Sequence, residues 1–101
     1  MNAPKFNVVK DGKRYDTNKA TLIADDLYWD GNNFERRGRN QFLYRTEKGA
    51  YFMTTTTQWQ GERDSLEVFS EAEAREAYET YLPEHYVEYA DAFPSAKIED
   101  A

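Results

Sequence analysis

The chain has 101 residues, 40% of them hydrophobic and 32% charged, with a net charge of −6 and no cysteine. That length suits one domain with a modest core, and the lack of Cys excludes a disulfide framework and any thiolate metal site. No ten apolar residues run together, where a membrane span needs about twenty, and the opening MNAPKFNVVKDGK lacks the apolar stretch of a signal peptide, so a cytoplasmic protein that does not span a membrane is expected.

Residues 1–5 are expected to be a flexible N-terminus, 6–93 a single domain and 94–101 a flexible tail. Phe6 to Val9 is a short apolar run followed by Asp11 and Gly12, which suit a type I′ turn, and by Lys13 to Tyr15, so a β-hairpin is predicted there. Thr21 to Ala24 reads as a strand through its β-branched content, with Leu27 to Trp29 extending it past a kink, bulge or turn at Asp25 and Asp26. Asp30, Gly31, Asn32 and Asn33 mark a turn. The strongest hairpin signal is Gln41 to Thr46 and Ala50 to Thr57 around Glu47, Lys48 and Gly49; Phe42 and Tyr44 share one face, as do Tyr51 and Met53. A break at Gly61 and a strand over Ser65 to Phe69 complete an antiparallel set.

At Ser70 the apolar period changes from two to 3.6. Ser70 and Glu73 form a capping box, and Ala74, Ala77, Tyr78, Tyr81 and Leu82 make one apolar stripe, with Glu71, Glu76 and Glu79 toward water. Pro83 ends or kinks this helix. A second short helical segment is expected from Glu84 to Ala92, with Tyr86, Tyr89, Ala90 and Phe93 on one side. The fold class is therefore α+β: an antiparallel sheet of about five strands built from hairpins or a meander, with the amphipathic C-terminal helix packed on one face and a short helical segment after it.

Charge is distributed unevenly. Residues 62–101 carry twelve acidic residues against Arg63, Arg75 and Lys97, a formal −9, whereas the first sixty-one hold ten Lys and Arg against seven Asp and Glu. Such asymmetry points to a charged partner. One candidate surface is the acidic helix with the segment after it: Glu71, Glu76, Glu79, Glu84 and Glu88 could occupy a basic groove shaped for nucleic acid. Its bland alternative is the solvated face that every amphipathic helix presents. The other is a basic, aromatic loop of Trp29, Phe34, Arg36, Arg37 and Arg39, which suits phosphate pairing and base stacking, or else simply neutralises Asp30 and Glu35. The eight tyrosines and two tryptophans could anchor an interface, but with so few aliphatic residues most of them must be core.

Enzymatic chemistry finds little support. The one histidine, His85, follows a proline and a glutamate and is expected at the surface; Asp25 and Asp26, adjacent on a strand, point to opposite faces and cannot share a proton. No carboxylates pair with a histidine at metal-ligand spacing, and no phosphate-binding or nucleophile motif occurs. No catalytic residue, metal or cofactor is expected.

The GKRYDT of Gly12 to Thr17, the FLYRTEKGAYF of Phe42 to Phe52 and the SEAEAREAYE of Ser70 to Glu79 are similar to a family of short uncharacterised prokaryotic proteins. That family has a G-K-K/R-Y-D-T opening, an L-Y-R-T-x-x-G-x-F/Y-F centre and an L-S-x-x-E-A helix start, and some members lie on phages and other mobile elements. The resemblance spans Gly12 to Phe93. The chain departs from the pattern at Phe69, before the serine, and at Thr54 to Thr57, where many relatives are Gly-rich. The resemblance implies a prokaryotic or phage origin and a shared fold, and carries no catalytic residue with it. The function expected is a non-enzymatic, acidic protein-binding module that engages a basic surface of a protein partner and inhibits a nucleic-acid-handling host protein. The alternatives are direct nucleic-acid binding through the arginine loop and an oligomerising structural protein.

Overall fold

The computed structural model describes residues 5–26, 39–57, 63–80 and 82–94, with Arg39 described by its backbone alone. Strands β1 (Asn7–Lys10) and β2 (Lys13–Asp16) form a separate two-stranded hairpin. Asp11 and Gly12 join them with φ of 52° and 73°, the double positive φ of a type I′ turn.

Strands β3 (Thr21–Asp25), β4 (Arg39–Arg45), β5 (Tyr51–Thr57) and β6 (Ser65–Phe69) run as an antiparallel meander. A two-residue strand, β7 (Glu84–His85), pairs with the free edge of β3, giving the order β6-β5-β4-β3-β7. Between β4 and β5, Gly49 takes φ 88° and donates its amide to Thr46 O, while the Thr46 hydroxyl accepts from Ala50 N. The glycine supplies the left-handed residue of a three-residue loop. Helix α1 (Glu71–Thr80) starts at the expected capping box: Ser70 N donates to Glu73 Oε1 at 2.9 Å and Glu73 N to Ser70 Oγ at 3.1 Å. Ser70→Ala should cost about 1 kcal/mol in urea unfolding, since it orphans the Glu73 amide.

The sheet is covered on both faces. On one, Ile23, Ala24, Leu43, Tyr51 and Met53 pack against Ala74, Ala77, Tyr78, Leu82, Ala92 and Phe93 of α1 and the segment after it. On the other, Phe42, Tyr44, Phe52 and Leu66 pack against Tyr15 of the hairpin. Tyr44 stacks on Phe52 with ring centroids 5.1 Å apart, and Tyr15 meets Phe52 edge-on at 5.6 Å. Lys10 Nζ reaches across to Leu66 O at 2.8 Å, so the hairpin also occupies a carbonyl of edge strand β6.

One local expectation is refined and another corrected. The irregularity within β3 falls between Leu22 and Ala24, Asp25 closes the strand, and the extension expected over Leu27 to Trp29 lies outside the described residues. The shift lets consecutive residues Ile23 and Ala24 both face the helical core, which strict alternation forbids. Glu84 to Ala92 is not one helical segment. Glu84 and His85 are extended, Tyr86 N donates to Ile23 O at 2.8 Å, and only Tyr89–Ala92 (α2) turns helically. Pairing with an open sheet edge outweighs the local helical period there.

Candidate functional site

The uneven charge of the sequence becomes a difference between two faces of one sheet. The layer formed by residues 70–94 carries Glu71, Glu73, Glu76, Glu79, Glu84, Glu88 and Asp91 against Arg75 alone. The opposite layer carries Lys5, Lys10, Lys13, Arg14 and Lys19 against Asp11 and Asp16.

Within the acidic layer the carboxylates divide by what they touch. Glu73 belongs to the helix cap. Glu71 and Glu79 lie four residues before and after Arg75, and Arg75 Nε donates to the Tyr89 hydroxyl at 2.9 Å, which donates in turn to Glu79 Oε2 at 3.1 Å. Glu71 is half-buried rather than turned fully to water, a correction to the simple helical projection. The structure thus makes Glu79 part of a tie between α1 and α2. Glu76, Glu84 and Glu88 are exposed, and their carboxylates have no hydrogen-bond or ion-pair partner among the described residues.

Buried and partly buried bonds hold the segment of Glu84 and Glu88 against α1, which carries Glu76. The Tyr78 hydroxyl donates to Val87 O at 2.8 Å, and the Tyr51 hydroxyl reaches from the sheet to Ala92 O at 2.7 Å. His85 stacks on Tyr78 at 3.7 Å between centroids and sets Nε2 2.9 Å from Tyr78 O. The histidine therefore occupies a carbonyl near the C-terminal end of α1, where such groups lack helical partners. The segment after Pro83, irregular as it is, is fastened to both the helix and the sheet.

Asp25 and Asp26 serve the end of β3. Asp25, 1% exposed, accepts from the Tyr86 hydroxyl at 2.8 Å, while Asp26 Oδ1 accepts from Gln41 N at 2.7 Å. The Tyr86 ring is 56% exposed, but desolvation at its hydroxyl first, and then the Asp25 carboxylate, push that hydroxyl up to about 12; burial and the same carboxylate do likewise for the buried Tyr44. The folded state holds these protons more tightly than the unfolded chain, so the stability they contribute is complete below pH ~10 and is lost as pH rises through ~12. Tyr86→Phe should remove one late-ionising hydroxyl from a tyrosinate absorbance titration. A Tyr86 that ionises near pH 10 would contradict the bond.

Trp29, Phe34, Arg36 and Arg37 lie outside the described residues, as do Trp59 and the Gly61 break. Arg39 is not in a loop but opens β4, paired with Thr57. Among the described residues no three His, Asp or Glu side chains converge as metal ligands, and no helix is long and apolar enough to cross a membrane. One feature that sequence reasoning missed is a groove of about 480 Å³ between the β1–β2 hairpin and the β4–β5 turn, lined by Lys13, Arg14, Lys19 and Lys48. These cations stand up to 35 positions apart in the chain, and only the packing of the hairpin on the sheet brings them together. Compared with protein-family models, curated proteins and solved structures, the chain matches none of them.

Proposed function

We propose that this chain is a non-enzymatic binding module of a prokaryote or its phage, acting in the cytoplasm, whose acidic layer docks on a basic surface of a protein partner. The partner's surface is one that otherwise handles nucleic acid, so occupancy inhibits it. The observation that carries this reading is the set of exposed carboxylates of Glu76, Glu84 and Glu88, without a partner among the described residues, on a segment cross-tied by Tyr51, Tyr78 and Tyr89. A backbone already held in place loses little conformational entropy on binding, and its carboxylates give a complementary field that speeds association. The prokaryotic and phage setting rests on the sequence resemblance alone.

The test is affinity capture from prokaryotic lysate with and without nuclease. A stoichiometric protein partner that survives nuclease and is released by salt is the expected result. Loss of every partner on nuclease treatment would sink the reading.

A further inference from the structure

We propose that the groove between the β1–β2 hairpin and the β4–β5 turn binds a compact, multiply charged phosphate group, as a triphosphate presents. Its volume of about 480 Å³ lies within the range of small-molecule sites, roughly 300–1,000 Å³. Three separate segments supply its cations: Lys13 and Arg14 from β2, Lys19 from the turn before β3, and Lys48 from the β4–β5 turn. Among the described residues none of the four forms an ion pair. Within those residues Arg14 Nη1 has a polar partner, Asn7 Oδ1 at 3.3 Å, and the three lysines have none.

Two carboxylates, Asp16 and Glu47, share the groove and offset part of its charge, leaving its four cations in excess. Asp16 Oδ1 accepts from Asn18 N at 2.9 Å and so is committed to shaping the β2–β3 turn; Glu47 contacts none of the cations as an ion pair. An excess of positive charge on a concave surface concentrates the local potential. Mobile ammonium groups from Lys13, Lys19 and Lys48 suit the several oxygens of a phosphate chain.

A long polyanion is the poorer occupant. The chain as a whole carries −6, so a nucleic-acid strand leaving the groove meets net repulsion, whereas a compact phosphate group lies within one screening length, about 8 Å at physiological salt. The inference uses none of the acidic-layer residues, so it stands or falls separately from the docking function proposed for them.

Calorimetric titration of the full chain with inorganic tripolyphosphate, alongside amide shift mapping, tests it. The expected result is saturable one-to-one binding with shifts centred on Lys13, Arg14, Lys19 and Lys48. Lys13→Gln and Lys48→Gln, both at exposed positions that leave the core intact, should each weaken binding about fivefold, and Glu76→Gln on the opposite layer should not. Absence of saturable binding, or binding that both lysine variants leave unchanged, would overturn the proposal. So would a single-stranded oligonucleotide that binds the groove where tripolyphosphate does not, or salt-sensitive self-association lost in Lys13→Gln, which would assign the groove to a second copy's acidic layer.

Discussion

Phe93→Ala should lower the free energy of unfolding by about 3–5 kcal/mol, the largest effect expected of any single substitution in the acidic layer. Phe93 is completely buried and packs against three rings at once: Tyr51 at 5.2 Å, Tyr78 at 5.6 Å and Tyr89 at 5.1 Å between centroids. Those rings belong to the sheet, α1 and α2, so no single one can move to fill the space a removed phenyl leaves. Its neighbour Ala92 accepts the Tyr51 hydroxyl, and loss of the ring also loosens that bond. In a domain of this size the change amounts to a fall in Tm of at least about 12 °C. Tyr51→Phe, which removes the hydrogen bond and keeps the ring, should cost only about 1–2 kcal/mol. Urea unfolding of both variants checks the pair. A Phe93→Ala loss below about 1 kcal/mol would mean that the segment after Pro83 is not part of the core, and the case for a preorganised acidic surface would go with it.

The second large effect concerns recognition. Glu76→Lys, Glu84→Lys and Glu88→Lys combined should leave stability within about 1.5 kcal/mol of the parent, because each position is exposed and each carboxylate lacks a partner among the described residues. Affinity for a basic partner should fall on the order of a hundredfold, since each reversal replaces an attraction worth up to about 1 kcal/mol with a repulsion. Glu79 does not belong in this set. Its carboxylate holds Tyr89, so reversing it would mix loss of docking with loss of the tie between α1 and α2. Binding isotherms at two salt concentrations, with melting curves on the same samples, measure both quantities. Unchanged affinity with an intact fold would remove the acidic layer from consideration.

Local chemistry made much of this architecture legible in the chain. Asp11 and Gly12 announce a type I′ turn because few other pairs tolerate positive φ at both positions, and Ser70 with Glu73 announces a helix start because their side chains satisfy each other's amides. The alternation of Phe42, Leu43 and Tyr44 sorts residues between the two cores, as period-two geometry requires. What was not legible depends on distant partners. Glu84 and His85 become a strand only because β3 offers an open edge, and the shift at Ile23 makes sense only once the helical core claims two consecutive residues. The same holds for function. The excess of acid in the second half of the chain was visible, but the placement of its carboxylates from Glu71 to Asp91 on one face, opposite the basic hairpin, depends on which side of the sheet each segment covers. Within that face, Tyr89 and Arg75 separate Glu79 from the carboxylates that have no partner among the described residues, a distinction that spacing along α1 does not show.

Carboxyl-group footprinting of the protein alone and bound to its captured partner addresses the acidic surface most directly, because the label reports on each Asp and Glu separately. Docking through the acidic layer predicts that Glu76, Glu84 and Glu88 become protected in the complex while Asp11, Asp16 and Glu47 on the hairpin side label as before. Protection of the hairpin-side carboxylates, with Glu76, Glu84 and Glu88 still fully reactive, would contradict it.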